Sequence, residues 1–540
     1  MKSENRPKVP RLSDIPADQV TPAVLTLLEI CRQQAEQIQA LRDEIARLKG
    51  QKPRPEIKPS KLESGEPGEK KRRKRGRRGK RKKTKKLAIH EVVRVRPEGL
   101  PEGSRFKGYQ EYTVQDVRIE VHNTRFLLER WETPWGDCRI GQLPTEMREG
   151  HFGPTLRAYI LQQYYHAHVT QPLLLEELRE WGIDISAGQL SAIITEGKED
   201  FHAEKEEVLR VGLETSRYIH VDDTGARHQG RNGYCTHMGN ERFAYFASTE
   251  SKSRMNFLEL LRAGHEDYVV CNAALAYMKE QGLPKGPLEL LTHHPRQRFC
   301  DRAEWNATLE RLRITKSRQV RIATEGALLG SALEHGMNPD LGVMSDDAGQ
   351  FAILRHALCW IHAERVFAKL IGLCDAHREA LEGVRREIWE IYAELKAYKN
   401  APNDENRIRI EGRFDRLCHR KTCFVPLNQA LERMFRNKGN LLLVLDRPKL
   451  PLHNNLSERD IREYVKKRKI SGSTRSDEGR RCRDTFTSLK KTCRKQGISF
   501  WEYLIDRVHG TFRIPRLGEW IRQQVSSASV TPPEVQPSGP

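Results

Sequence analysis

Paired cysteines are what this sequence most clearly lacks: none of its eleven cysteines has a Cys-x-x-Cys neighbour. An odd count in a long, charged chain with no apolar N-terminal targeting segment excludes a disulfide scaffold and implies reduced thiols in a cytosol. Cys418, His419 and Cys423 lie close in sequence, but no second ligand pair stands near them, so no zinc site is expected. No apolar run approaches the ~20 residues needed to cross a bilayer. The expectation is a soluble, cytoplasmic protein without a membrane partner. Acidic residues are absent from 70–86, "KKRRKRGRRGKRKKTKK", which supplies 14 of the charges behind a formal net charge of +21. Such a run is a solvated, disordered tether, and its charge density suits a polyanion such as nucleic acid.

At 540 residues the chain exceeds one core and implies three or four domains of ~150 residues each. Val24, Leu27, Cys31, Gln34, Ile38, Leu41, Ile45 and Leu48 alternate three–four spacings. This heptad seam predicts a parallel two-stranded coiled coil over 22–49, pairing protomers through 24–48 into a homodimer or higher homo-oligomer. A basic linker follows over 50–88, with Arg72, Arg73, Arg77 and Arg78 as DNA-contact candidates. Aromatic and β-branched residues in short alternating stretches, 105–144, predict a small β-rich module over 89–150. In 151–210 the period becomes helical: a helix ends near Trp181, Gly182 turns the chain, and a second helix opens at Ser186. Leu174, Leu175 and Leu178 would then pack against Leu190, Ile193 and Ile194, a helix-turn-helix-like spacing suited to DNA.

From 211 strands and helices interleave, which predicts an α/β domain. Its first part spans 211–355, a helical insertion fills 356–445, a second part spans 446–513, and 514–540 reads as a disordered tail. "RYIHVDDTG" (217–225) and "DLGVMSDDAG" (340–349) both read as strands ending in paired acids. Strand ends in α/β domains open onto a crevice where functional residues collect. Tyr218 and His220 share a face with Asp222, so if Ile219 and Val221 face the core, Asp222 points into the cleft. Spacing alone does not separate Asp346 from Asp347. The helix in "HNNLSERDIREYVKKRK" (453–469) raises a further question: Glu458 either pairs with Arg462 one turn on or holds a metal beside nucleic acid. Arg462, Lys466, Lys467, Lys469 and Arg475 are the phosphate-contact candidates around it. Clustered carboxylates repel one another, and Mg²⁺ removes that cost while reserving coordination positions for water and phosphate.

"YIHVDDTGARHQGRNGYCTHMGN", "SDDAGQF…CWIHAER" and "NNLSERDIREYVKKRKISGSTRSDEGRRCRDTFTSL" closely resemble bacterial transposases of the insertion sequence 66 family, and so does "HFGPTLRAYILQQYYHAHVTQPLL". The resemblance runs from about residue 100 to 510. It implies an RNase H-like mixed-sheet catalytic domain with a helical insertion, and an Asp-Asp-Glu site whose acids fall on Asp222, Asp346 and Glu458. It also implies two Mg²⁺ per site, with Mn²⁺ able to substitute. Cys359 and His362 match a Cys-x-x-His motif near such sites and share a helical face; their role stays open. Relatives often carry a paired-cysteine zinc module ahead of the catalytic domain, whereas this chain has only Cys138 there, so zinc is not expected. The implied function is cleavage at mobile-element ends and strand transfer into target DNA, in a bacterial cytoplasm at the nucleoid, with small accessory proteins of the element as further partners. The alternatives are a catalytically inactive dimeric DNA-binding regulator or architectural protein derived from such an enzyme, and a nuclease that cuts without joining.

Overall fold

In the computed structural model, residues 88–110, 112–144 and 150–530 are described. The heptad seam, the linker with Arg72, Arg73, Arg77 and Arg78, and the last ten residues of the tail lie outside them. Two units divide between Glu120 and Val121. The described part of the first, from residue 88, holds turns but no helix or strand. The β-rich character expected over 105–144 is confined to one hairpin of the second unit, β1 (Arg130–Glu132) and β2 (Cys138–Ile140).

The helical region comprises α1 (Pro154–Leu161), a π-helical turn (Gln162–Ala167), α2 (Gln171–Glu180), α3 (Ala187–Thr195) and α4 (Glu199–Thr215). Gly182, at φ 83, closes α2 in the left-handed region that glycine enters without steric cost. Ser186 caps α3 by accepting from the Gln189 amide, while the Gln189 side chain accepts from the Ser186 amide. Leu174, Leu178, Leu190 and Ile194 are buried in the main core, with Leu175 and Ile193 packed against it.

The sheet combines β3 (Tyr218–His228), β4 (Arg231–Gly239), β5 (Ala244–Thr249), β8 (Gly342–Ser345) and β9 (Arg355–Leu358) in the order β5-β4-β3-β8-β9. β3, β4 and β5 pair antiparallel, whereas β3–β8 and β8–β9 are parallel. A two-residue turn at Gln229 and Gly230, φ 48 and 76, joins β3 to β4. Between β5 and β8 lie α5 (Arg254–Leu261), the short pair β6 (Tyr268–Val269) and β7 (Arg298–Phe299), α6 (Asn272–Glu280), α7 (Lys285–Thr292), α8 (Arg302–Arg311) and α9 (Ser317–Glu334). After β9 come α10 (Trp360–Ala368), α11 (Asp375–Tyr398), α12 (Asp404–Cys418), α13 (Val425–Arg436), the short α14 (Lys438–Leu441) and α15 (Leu443–Asp446). This insertion has its own core around Val384, Ile391, Phe414 and Leu431. α16 (Asn455–Ser471), α17 (Asp477–Lys495), α18 (Phe500–Val508) and α19 (Leu517–Val530) complete the chain.

Four readings change here. Residues 517–530 of the expected disordered tail form α19, because Leu517 and Ile521 are buried in the main core. β3 does not end at its acids but runs on to His228, because β4 pairs with it throughout. His356 does not open a helix; β9 holds it through parallel pairing with β8, and helix begins only at Trp360. β4 itself was unread, since its polar "RNGYCTHMG" lacks an apolar alternation. No helix among the described residues is long and apolar enough to cross a membrane.

The edge strand β5 is closed by a helix. Asp484, Ser488 and Thr492, spaced i, i+4, i+8 on α17, accept from the amides of Ser248, Phe246 and Ala244 at 2.7, 2.8 and 3.2 Å. Four helical residues rise about 6 Å and two strand residues about 6.6 Å, so alternate donors meet successive acceptors. This satisfies an edge that would otherwise invite pairing with another chain. Ser488→Ala leaves the buried Phe246 amide without an acceptor and is expected to cost about 1–3 kcal/mol, read from urea unfolding.

Candidate active site

Parallel register places the first two acids, one on β3 and one just past β8. His220 pairs with Met344, so two residues on, Asp222 comes alongside Asp346 at the point where β8 stops. Ile219 and Val221 are fully buried in the main core. Asp222 therefore shares the opposite face with His220, toward α16. Asp223 is otherwise engaged, accepting from Thr236 Oγ1 at 2.6 Å and Gln350 Nε2 at 2.9 Å.

The start of α16 is fastened to that face by buried polar groups. Asn454 donates through Nδ2 to the Val221 carbonyl at 2.8 Å, and its Oδ1 lies 2.9 Å from His220 Nδ1. The Asn454 amide donates to Cys359 Sγ at 3.2 Å. One turn on, Ser457 Oγ meets His237 Nδ1 at 2.6 Å. Glu458 follows, delivered by backbone position to the side of the Asp222–Asp346 pair. Burial, followed by the negative charges of Asp346, Asp223 and Glu458, pushes the Asp222 carboxyl up to about 7, against a hydrogen bond from the Asp223 amide. Three distant acids therefore share one electrostatic environment.

Asp346 and Asp347 now separate. Asp347 Oδ2 is held by Arg433 of α13 at 2.5 Å, while Asp346 Oδ1 accepts only the Ala348 amide at 3.2 Å. Glu458 does not pair with Arg462: its Oε1 lies 3.5 Å from both His362 Nε2 and Arg365 Nη1. Among the described residues, no three His, Cys, Asp or Glu side chains stand close enough together to hold an ion. The donor chemistry nonetheless suits a hard cation: all three groups offer carboxylate oxygens, and among the described residues Asp222 and Asp346 have no cationic partner, while Glu458 meets Arg365 through Oε1 alone. Soft-metal chemistry does not fit. Burial raises the thiol of Cys359, a residue that stands at the N-cap position of α10 and whose Sγ receives the Asn454 amide. Burial, with Arg365 adding to it, lowers His362.

On the outer face of α16, Arg459, Arg462, Lys466 and Lys469 are exposed at spacings of three, four and three, which places them on one helical stripe. Arg475 is exposed beyond the helix. Arg459 escaped the sequence reading, although the same spacing would have found it. Lys467 does not join this stripe: it is 4% exposed, its ammonium donating to the Tyr164 carbonyl at 2.8 Å and lying 3.6 Å from the Tyr164 ring centre. Burial, then the nearby Lys490 and Arg483, lowers it to about 7. Asn454 is the other residue that sequence reasoning left without a role. Asn454→Ala should leave His220 and the α16 entry unsupported and destabilise the fold by about 1–3 kcal/mol, measured by chemical denaturation.

The chain matches the family described as "Transposase IS66 family" over residues 149–277 and 342–481. It is also similar to "Uncharacterized protein y4jO" of Sinorhizobium fredii (strain NBRC 101917 / NGR234), with 42% identity over 303 residues that cover 56% of this chain and 94% of that protein.

Proposed function

The chain belongs to the IS66 family of transposases, and from that premise we propose that it cuts DNA at mobile-element ends and joins the freed 3′ ends to target DNA. Asp222, Asp346 and Glu458 are the acidic residues that would hold Mg²⁺, or Mn²⁺ in its place. The single observation carrying this assignment is the pairing register that brings Asp222 beside Asp346 on the face that α16 covers with Glu458. An RNase H-like sheet is the corresponding reading of the β5-β4-β3-β8-β9 order. When bound, a metal pair activates an attacking oxygen and stabilises the leaving oxygen of a phosphodiester. The chain's own residues supply the rest. Asn454 and Ser457 fix the helix that carries Glu458, whose carboxylate would join those of Asp222 and Asp346 in holding the cation. Arg459, Arg462, Lys466 and Lys469 offer a stripe of phosphate contacts that orient the strand without reading its sequence. The α2–α3 pair is our candidate for reading end sequences, and the heptad seam for holding two ends together.

The hold of His362 and Arg365 on Glu458 favours one rival, a DNA-binding derivative without chemistry. The test incubates the full chain with element-end DNA, a plasmid target and Mg²⁺. Joined products that disappear with Asp222→Asn, Asp346→Asn and Glu458→Gln support the enzyme. Binding of DNA with no metal-dependent product from the parent protein supports the rival.

A further inference from the structure

Residues 278–341 fall between the two matched segments, and they carry a feature that the proposed active site does not use. From Arg311 to Arg321 the sequence "RLRITKSRQVR" holds five basic residues and no acid. Arg311, Arg313, Lys316, Arg318 and Arg321 are all exposed. None of the five forms an ion pair among the described residues. Arg311 is steadied by donating from Nη2 to Thr308 Oγ1 at 2.9 Å. Arg318 and Arg321, three apart in the first turn of α9, share a helical face.

The position of this cluster follows from the anchors of α9. Beyond its C-terminal end, Asn338 donates from Nδ2 to the Ser216 carbonyl at 2.8 Å, beside the start of β3. Toward its other end, Glu325 Oε2 lies 4.0 Å from Arg254 Nη1, and Arg254 Nη2 donates to the Gly349 carbonyl at 2.7 Å, three residues past Asp346. α9 thus runs antiparallel to β3 and β8, with its N-terminal end on the side of the carboxylates. Ser317 precedes Glu325 by eight residues, so the helix continues about 12 Å past that level. The basic cluster sits at its tip.

Backbone conformation adds an independent sign. Arg313 follows α8 at φ 56, its amide bonded to the Glu310 carbonyl and the Ile314 amide to the Leu309 carbonyl. The same pair of bonds closes the helices before Gly182, Gly282, Gly336, Gly497 and Gly510, where glycine occupies the left-handed position. Here an arginine occupies the position that favours glycine, with its guanidinium exposed.

The geometry points to a duplex-DNA docking surface formed by Arg311, Arg313, Lys316, Arg318 and Arg321, which holds the phosphate backbone of DNA leaving the active-site end of the sheet. It rests on the transposase reading for the choice of DNA as the polyanion. The contacts are to phosphate, so the surface is indifferent to sequence.

The test measures fluorescence anisotropy of the full chain on element-end and unrelated duplexes, in EDTA, between 50 and 200 mM salt. Each lost phosphate contact lowers the slope of log affinity against log salt by about 0.9. Replacing all five by glutamine should reduce the slope by about 4–5 on both duplexes. Should that variant lose its circular dichroism, Arg318→Gln with Arg321→Gln replaces it, with a reduction of about 2 expected. Arg313→Gly should melt at or above the parent's temperature while binding DNA several-fold more weakly. An unchanged slope, or a loss confined to element-end DNA, overturns the proposal. Asp222→Asn should keep the parent's slope. A failure of the catalytic reading therefore shows in joining assays alone, and a failure of this surface in binding alone.

Discussion

Asp222→Asn lowers strand joining by about 10⁴-fold while DNA binding stays at the parent's level, because removing one member of a catalytic unit costs nearly as much as removing all. The Asp222→Asn/Asp346→Asn double variant is accordingly no worse than either single one. Asp347→Asn is the internal contrast. It loses only an exposed ion pair with Arg433, worth about 0–1 kcal/mol, and should join DNA within about threefold of the parent. The raised Asp222 carboxyl adds a pH signature. Its folded value of about 7 lies above the ~3.9 of an unfolded aspartate. The folded state therefore keeps its proton longer, and stability from this group is present at low pH and lost as pH rises through 7. Without metal, Asp222→Asn should melt higher than the parent at pH 8, and the gap should narrow toward pH 5. Since a ligand carboxylate must be deprotonated, the Mg²⁺ needed for half-maximal joining should fall about fivefold from pH 6 to pH 7. Equal metal demand at both values would remove Asp222 from the site.

Part of the candidate geometry was legible because strands and helices write their faces into the sequence at fixed periods. Alternation along 218–223 singled out Asp222, and the β3–β8 register agrees. What stayed hidden depends on partners far away in the chain. Asp347 differs from Asp346 only through Arg433, 86 residues on. Lys467 belongs by composition to a basic helix, but its position turns it onto the Tyr164 carbonyl, 303 residues away. β9 has four residues and no alternation of its own, so only pairing with β8 makes it a strand. The acceptors Asp484, Ser488 and Thr492 look like polar residues on an amphipathic helix until β5 is laid beside them.

The inner side of α16 carries the second large effect. Asp460, 7% exposed, receives Lys495 at 2.6 Å, Lys491 at 3.4 Å and His237 at 3.3 Å. Glu463, one turn on, receives Lys490 at 2.8 Å and His168 at 3.2 Å. Burial alone would raise the Asp460 carboxyl, but His237 and Lys495 overcome it and hold it well below the usual carboxylate range. The hydrogen bond from His168, against burial and aided by Lys490, does the same for Glu463. Depressed carboxyls stabilise the fold above the unfolded value of ~4 and lose that contribution as pH falls below it. Asp460→Ala leaves two nearly buried ammonium groups without their nearest carboxylate, which costs about 3–5 kcal/mol, and it should flatten the acid limb of the stability curve. Adding Lys495→Met removes one stranded charge, so the double variant should recover about 1–3 kcal/mol relative to the sum of the singles. Because Glu458 and Asp460 stand on the same helix, the loss should also reach catalysis. Joining by Asp460→Ala should fall more steeply with temperature than that of Ser488→Ala, which loosens the sheet edge and leaves α16 clamped. Equal temperature dependence in the two variants would mean that the buried charges hold the fold together without positioning Glu458.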